Sequence, residues 1–239
     1  MFYLLTQLVM WYYVNMHQIQ SNILSKLSEA KSARYSDLKQ TNMEGNVFTY
    51  HLKKLVREGY VLQRNQIYLL SPKGKLFADR VSHTDFKERI QPKIITAIII
   101  KNKNKYLLYK RKKQPFFDHV GFPYGKIHLD ERIHDAAQRE LKEKAALDAT
   151  LKYRGHIYVT VHDETELVSS MLCHVFTGKL NSGTIETDTS NTKCFWGKLE
   201  DFPRNKLLPG VIQMERLVKE NPSKIFFEEY FLNTTEDLA

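Results

Sequence analysis

Apolar positions recur in two groups of patterned segments, separated by the mostly polar residues 81–91. In the first group, Ile19, Ile23, Leu24 and Leu27 stand at helical spacing and predict an amphipathic helix. A short second helix contains Leu38, with Ser32 or Ser36 available as its cap and Ser36 the better placed. A third is expected from about Glu44 to Glu58, burying Val47, Leu52, Leu55 and Val56, with Gly59 to end it. Tyr60-Val61-Leu62-Gln63 and Gln66-Ile67-Tyr68-Leu69-Leu70 are strand-like and turn at Arg64-Asn65. Ser71-Pro72-Lys73-Gly74 then leads into a closing helix with Leu76, Phe77 and Val81.

The second group opens with Ile94 to Ile100, a β-branched run suited to a central strand buried on both faces. Asn102-Lys103-Asn104 turns it into a second strand, Tyr106-Leu107-Leu108-Tyr109. Ile133, Ala136, Ala137, Leu141 and Ala145 follow a helical period with one buried face. Tyr153 to Val161 and Val168 to Phe176 alternate like long strands around the acidic loop His162-Asp163-Glu164-Thr165-Glu166. Gly178 to Asn191 reads as a polar loop, and Val211 to Glu220 as a last helix burying Ile212, Met214 and Leu217. The expectation is an α+β chain of two domains, residues 17–90 and 91–239.

Ahead of both lie residues 1–16, which carry no charged side chain. They lack the basic start and cleavage site of a secretory signal, and fall short of the roughly 20 apolar residues that span a bilayer. An apolar helix packed on its own domain or on a partner subunit is the leading reading, natural initiation at Met16 a second, and membrane anchoring a third. The expectation is therefore no membrane partner. Two cysteines, Cys173 and Cys194, make no disulfide framework and suit a reducing cytoplasm.

Charge sharpens the division. Residues 1–90 hold 13 Lys and Arg against 7 Asp and Glu, or +6 of the chain's +9. A basic small domain beside a nearly balanced larger one points to a polyanion as the first domain's partner.

Chemistry concentrates in residues 121–147. From Gly125 the spacing is Gly-x5-Glu131-x7-Arg139-Glu140-Leu141-x-Glu143-Lys144-x-Ala146-Leu147. Glu140 lies beside both Glu143 and Lys144 on one helix side. A glycine-closed loop followed by carboxylates on a helix is a cradle for a hard divalent cation, and equally a solvated helix with ordinary charge pairs. The segment resembles the Nudix box, Gly-x5-Glu-x7-Arg-Glu-U-x-Glu-Glu-x-Gly-U, with U a bulky aliphatic residue. It departs from it at Lys144, where the box has glutamate, and at Ala146, where it has glycine.

The resemblance covers about 93–220 and implies an α/β/α sandwich with a mixed sheet. Phe195 to Phe202 resembles the strand and short helix that follow in such domains. It further implies hydrolysis of a nucleoside diphosphate derivative with Mg2+ or Mn2+. Glu140, Glu143 and the Gly125 carbonyl would then be metal ligands, and Glu131 would orient Arg139. Arg111 stands where a basic residue often faces the substrate diphosphate; Lys110 to Lys113 also read as a solvated basic loop. Tyr124 replaces the first of two glycines and adds bulk near the substrate. Asp163, Glu164 or Glu166 could supply a further ligand or base.

Lys144 changes the sign of a principal ligand. At about 5 Å and an effective dielectric near 20, that reversal costs a divalent ion on the order of 13 kcal/mol before screening. Either the side chain swings away, or its ammonium takes the cation's place beside Glu140 or Glu143 and faces a bound phosphate.

The first domain resembles a winged helix-turn-helix of three helices plus a β-hairpin, through Phe48-Thr49-Tyr50-His51-Leu52-Lys53-Lys54-Leu55-Val56-Arg57-Glu58-Gly59-Tyr60-Val61 and Ser71-Pro72-Lys73-Gly74. That implies duplex DNA as partner, with Asn46, Thr49, Tyr50, Lys53 and Arg57 facing the major groove and its phosphates, Arg64 at the wing tip, and a homodimer. A solvated basic helix is the plain alternative, and His51 reads as a packed or capping histidine. Two functions follow: a regulator that senses a nucleotide-derived small molecule with weak or no catalysis, or an active hydrolase with an accessory domain.

Overall fold

A computed structural model describes residues 16–82, 89–182, 185 and 192–234. Apart from Met16, the uncharged N-terminal segment lies outside the described residues, as does most of 183–191. The chain divides into two compact units, one ending at Ile90 and one beginning at Gln91. Among the described residues no helix is long and apolar enough to cross a membrane.

The first unit runs α1 (Gln18–Ser28), β1 (Ala33–Arg34), α2 (Tyr35–Leu38), α3 (Gly45–Arg57), β2 (Val61–Arg64), β3 (Ile67–Leu70) and α4 (Pro72–Arg80). The strands order as β1-β3-β2, so the hairpin gains a short third strand. Ile23, Leu24 and Leu27 of α1 meet Phe48, Leu52 and Leu55 of α3 in one core, joined by Leu38, Tyr60, Val61 and Leu70. Ser71 caps α4 by accepting from the Gly74 N–H, and Gly59 ends α3 at φ +78°.

Several local expectations are corrected here. Val47 is 40% exposed, while Phe48 and His51 take the core face of α3. His51 stacks on His17 with ring centroids 4.2 Å apart. The cap of α2 is Arg34 rather than Ser36; its N–H donates to the Asp37 carboxylate at 2.9 Å. The hairpin turns at Asn65-Gln66, one residue later than expected, because Arg64 pairs with Ile67 and Asn65 accepts φ +55°. Leu76 is exposed, and Val81 is buried beyond the end of α4.

The second unit contains β4 (Lys93–Asn102), β5 (Lys105–Arg111), β6 (Val120–Gly121), β7 (Tyr124–Lys126), α5 (Ile133–Ala145), β8 (Asp148–Asp163), β9 (Glu166–Ser182), β10 (Thr192–Gly197), α6 (Val211–Glu220) and β11 (Phe226–Asn233), with single 3-10 turns at Leu199–Asp201 and Arg204–Lys206. The mixed sheet orders as β10-β5-β4-β9-β8-β11, with β6 on β5 and β7 on β4. β4–β9 and β8–β11 are parallel; β8–β9 is a long antiparallel pair. Ile95 to Ile100 are all buried, as a strand covered on both faces requires.

α5 buries Ala136, Ala137, Leu141 and Ala145 against the sheet, whereas Ile133 is 39% exposed at its first turn. In α6 the buried residues are Val211, Met214 and Leu217, with Ile212 turned outward. β9 continues to Ser182, because Lys179 and Leu180 keep pairing with Thr150 and Ala149. The parallel edge strand β11 had no counterpart in the sequence reading.

Candidate functional site

β7 is three residues long, and its alternation decides which groups meet. Gly125 faces α5, while Tyr124 and Lys126 line a cavity on the other side of the sheet. A Cβ on Gly125 would stand 1.6 Å from the Glu140 carboxyl carbon, so the absence of a side chain there lets α5 bring Glu140 against the strand.

On the α5 side the box residues assemble into an ion-pair network. Arg139 donates to both Glu131 oxygens at 2.7 and 2.9 Å, to Glu140 at 2.8 Å, and to the Lys126 carbonyl at 3.0 Å. Hydrogen bonding from Arg139, helped by the His128 N–H and opposed by desolvation, holds the Glu131 carboxyl down at about 2. The Arg139 guanidinium is pushed further up in turn, first by Glu131.

Lys144 turns inward. Its Nζ stands 3.2 Å from Glu140 Oε2 and donates to the Tyr124 carbonyl oxygen. The ammonium sits over the Tyr124 and Tyr109 rings at 4.8 and 5.4 Å. Burial lowers its proton affinity and the Glu140 charge opposes that shift. The neighbouring Cys194 thiol is pushed by burial up to about 11, with Lys144 pulling the other way.

This donor set does not fit a divalent cation. The two Glu140 oxygens are taken by Arg139 and Lys144. Glu143 is 60% exposed and leans on Arg139 at 3.4 Å. Among the described residues no group of three or more His, Cys, Asp or Glu is placed to hold a metal. Glu131, Glu140 and Glu143 already share the cations Arg139 and Lys144, and the single net negative charge left offers a +2 ion little attraction. Asp163, Glu164 and Glu166 lie at the β8–β9 turn; the Asp163 carboxylate accepts from the Thr234 hydroxyl.

The opposite side of β7 holds a cavity of about 310 Å³. Its walls are largely apolar, with Ile157, Val159, Met171 and Met214 among them, and its charged groups are Lys93, Arg111 and Lys126. Among the described residues no carboxylate lines it, and neither does Lys144. Arg111 is fixed at the rim: it donates to the Pro115 carbonyl at 2.6 Å, to the Gln114 carbonyl at 3.0 Å, and to the Tyr124 hydroxyl. Lys93 and Lys126 were missed in the sequence. They stand at a strand start and inside the box loop, where lysine looks like solvated charge.

The DNA-facing candidates belong to the first unit. Asn46, Tyr50, Lys53 and Arg57 form an exposed stripe along α3, and Arg64 is exposed beside the hairpin turn. Thr49 departs from the expected set: it is half-buried, with its hydroxyl 2.8 Å from that of Tyr35.

A family model described as the NUDIX domain matches residues 91–220. The chain belongs to the Nudix family. An ADP-ribose pyrophosphatase from Methanocaldococcus jannaschii is 31% identical over 97 residues, covering 39% of this chain and 57% of that protein. The chain thus spans little more than half the length of that curated relative. Among solved structures, a Nudix hydrolase from Nitrosomonas europaea is 19% identical with a TM-score of 0.44, over 64% of this chain and 92% of the other. The Nudix domain of NrtR from Shewanella oneidensis, solved with ADP-ribose, is 17% identical with a TM-score of 0.47, over 56% and 91%.

Proposed function

We propose that this Nudix protein is a ligand-responsive DNA-binding regulator whose Nudix domain binds a nucleoside diphosphate-linked metabolite with weak or no hydrolysis. The observation that carries the reading is the Lys144 ammonium, 3.2 Å from Glu140 on the helix face where the family's box places a second metal-binding carboxylate. The box keeps its ion pairs but has lost most of the acid excess that grips Mg2+ or Mn2+, on which Nudix hydrolases generally depend. Ligand binding then falls to the cavity's own cations, with Arg111 and Tyr124 at its rim.

For the first domain, the order of three helices, hairpin and closing helix supports a winged helix, with α3 as the reading helix. The exposed stripe Asn46, Tyr50, Lys53 and Arg57 suits major-groove and phosphate contacts, and Arg64 suits the backbone beside the wing. A homodimer on a two-fold operator is the assembly that fits such a reader, and the cytoplasm is the compartment that fits both halves.

The hydrolase reading is supported by the intact box residues Gly125, Glu131, Arg139, Glu140 and Glu143, with Arg139 bonded to Glu131, Glu140 and Glu143. The dividing experiment is phosphate release from a panel of nucleoside diphosphate derivatives with Mg2+ or Mn2+. ADP-ribose comes first in that panel because of the curated relative's activity, and wild type is run beside Lys144→Glu. We expect negligible wild-type turnover and a gain in Lys144→Glu. Vigorous wild-type turnover abolished by Glu143→Gln would sink the sensor. Salt-dependent duplex binding should weaken in both Lys53→Ala and Arg64→Ala.

A further inference from the structure

The cavity's positive charge is spread along the sheet. Lys93, Ile95 and Ala97 share one face of β4, and Lys126 and Tyr124 pair with Ile95 and Ala97 respectively. From Lys93 to the Ala97–Tyr124 level is four residues, roughly 13 Å of strand. Both ends of this row are held. Lys93 Nζ donates to Ser169 Oγ at 2.8 Å, a contact across the parallel β4–β9 pair. Arg111 is fastened to the Gln114 and Pro115 carbonyls and the Tyr124 hydroxyl. Only Lys126, between them, has a largely solvent-exposed side chain.

We propose that the Lys93–Ser169 end of the cavity is a second anion subsite, so that the ligand is a nucleoside diphosphate derivative bearing a further phosphomonoester. A diphosphate at the rim takes Arg111 and Lys126 as its cations. Lys93 is then left with a neutral hydroxyl as its described partner, half-buried and facing no carboxylate. Burial, and after it the charges of Lys126 and Arg111, depress its proton affinity. An anion seated there removes that mutual repulsion, and Ser169 supplies a hydroxyl donor to the same phosphate.

This inference rests on the nucleotide-binding reading above, and its test separates the two. Affinities are measured by calorimetry on the full chain for two matched pairs, each differing by one phosphomonoester: ADP-ribose against its 2′-phosphate, and dephospho-coenzyme A against coenzyme A. The extra phosphate should tighten binding at least tenfold in one pair, the scale of one charge-assisted contact (roughly 1.5 kcal/mol or more). Lys93→Met should reduce that preference to less than about threefold, and an unchanged thermal unfolding midpoint shows that the variant is folded. Ser169→Ala should reduce it in part. Equal affinity within both pairs, or a preference that survives in Lys93→Met, overturns the subsite alone. Failure of all four compounds to bind overturns the nucleotide reading and the subsite with it.

Discussion

The two sides of β7 treat charge in opposite ways. Facing α5, Glu131, Arg139, Glu140 and Lys144 neutralise one another within 2.7–3.2 Å. Facing the cavity, Lys93, Lys126 and Arg111 have no acid among the described lining residues to answer them. The first side uses its polar groups to hold α5 to the sheet, and the second bonds its cations only to neutral oxygens. On the function proposed above, the box serves as architecture and recognition falls to the face behind it.

The sharpest way to break this contrast is Gly125→Ala. The added Cβ cannot coexist with the Glu140 carboxylate, so both of that residue's ion pairs must open, at a cost of about 3 kcal/mol. Thermal unfolding should show it as a fall of several degrees. A fall under one degree would mean that Glu140 has freedom to move aside.

Lys144→Glu comes next. Without divalent ions the reversed charge beside Glu140 should destabilise by about 2 kcal/mol. Mg2+ should restore part of the loss, and the wild-type melting temperature should stay flat against Mg2+. An equal Mg2+ response in wild type would erase the distinction between the two sides.

A smaller effect comes from acid. Glu131 is held at about 2 against an ordinary value of 4.5, so its contribution to stability is present above pH 4.5 and is lost as the pH falls toward 2. With allowance for solvent screening, roughly 1–2 kcal/mol should disappear across that window in wild type and not in Glu131→Gln. Urea midpoints measured from pH 5 to pH 2.5 give the comparison.

The smallest change touches neither face. Ala146 ends α5 at φ +53°, in the left-handed region where the family's box has glycine. Ala146→Gly should stabilise by about 0.5–1 kcal/mol with cavity binding unchanged. A loss of stability would place the strain elsewhere.

What could be read from sequence was what repeats at short range. The period through Ala136, Ala137, Leu141 and Ala145 located α5, and the box spacing located the residues that meet on it. The errors were errors of phase. Phe48, about 100° further round α3 than Val47, takes the core face, and Ile133 in the first turn of α5 is 39% exposed. β11 escaped because Phe226, Glu228, Tyr230 and Leu232 on one side, and Phe227, Glu229 and Phe231 on the other, mix acids with aromatics and show no period of two. The cavity was the least legible part. Lys93 and Ser169 are 76 residues apart and meet only through the parallel pairing of β4 with β9, which no local pattern encodes.

The close fit of Glu140 against Gly125 has a mutational consequence. The backbone is still shaped around a carboxylate, although the neighbouring charge has been reversed. A lysine codon is a single base change from a glutamate codon, so an acid-rich centre and the present self-neutralised one are adjacent in sequence space. The passage between them requires no rebuilding of strand or helix.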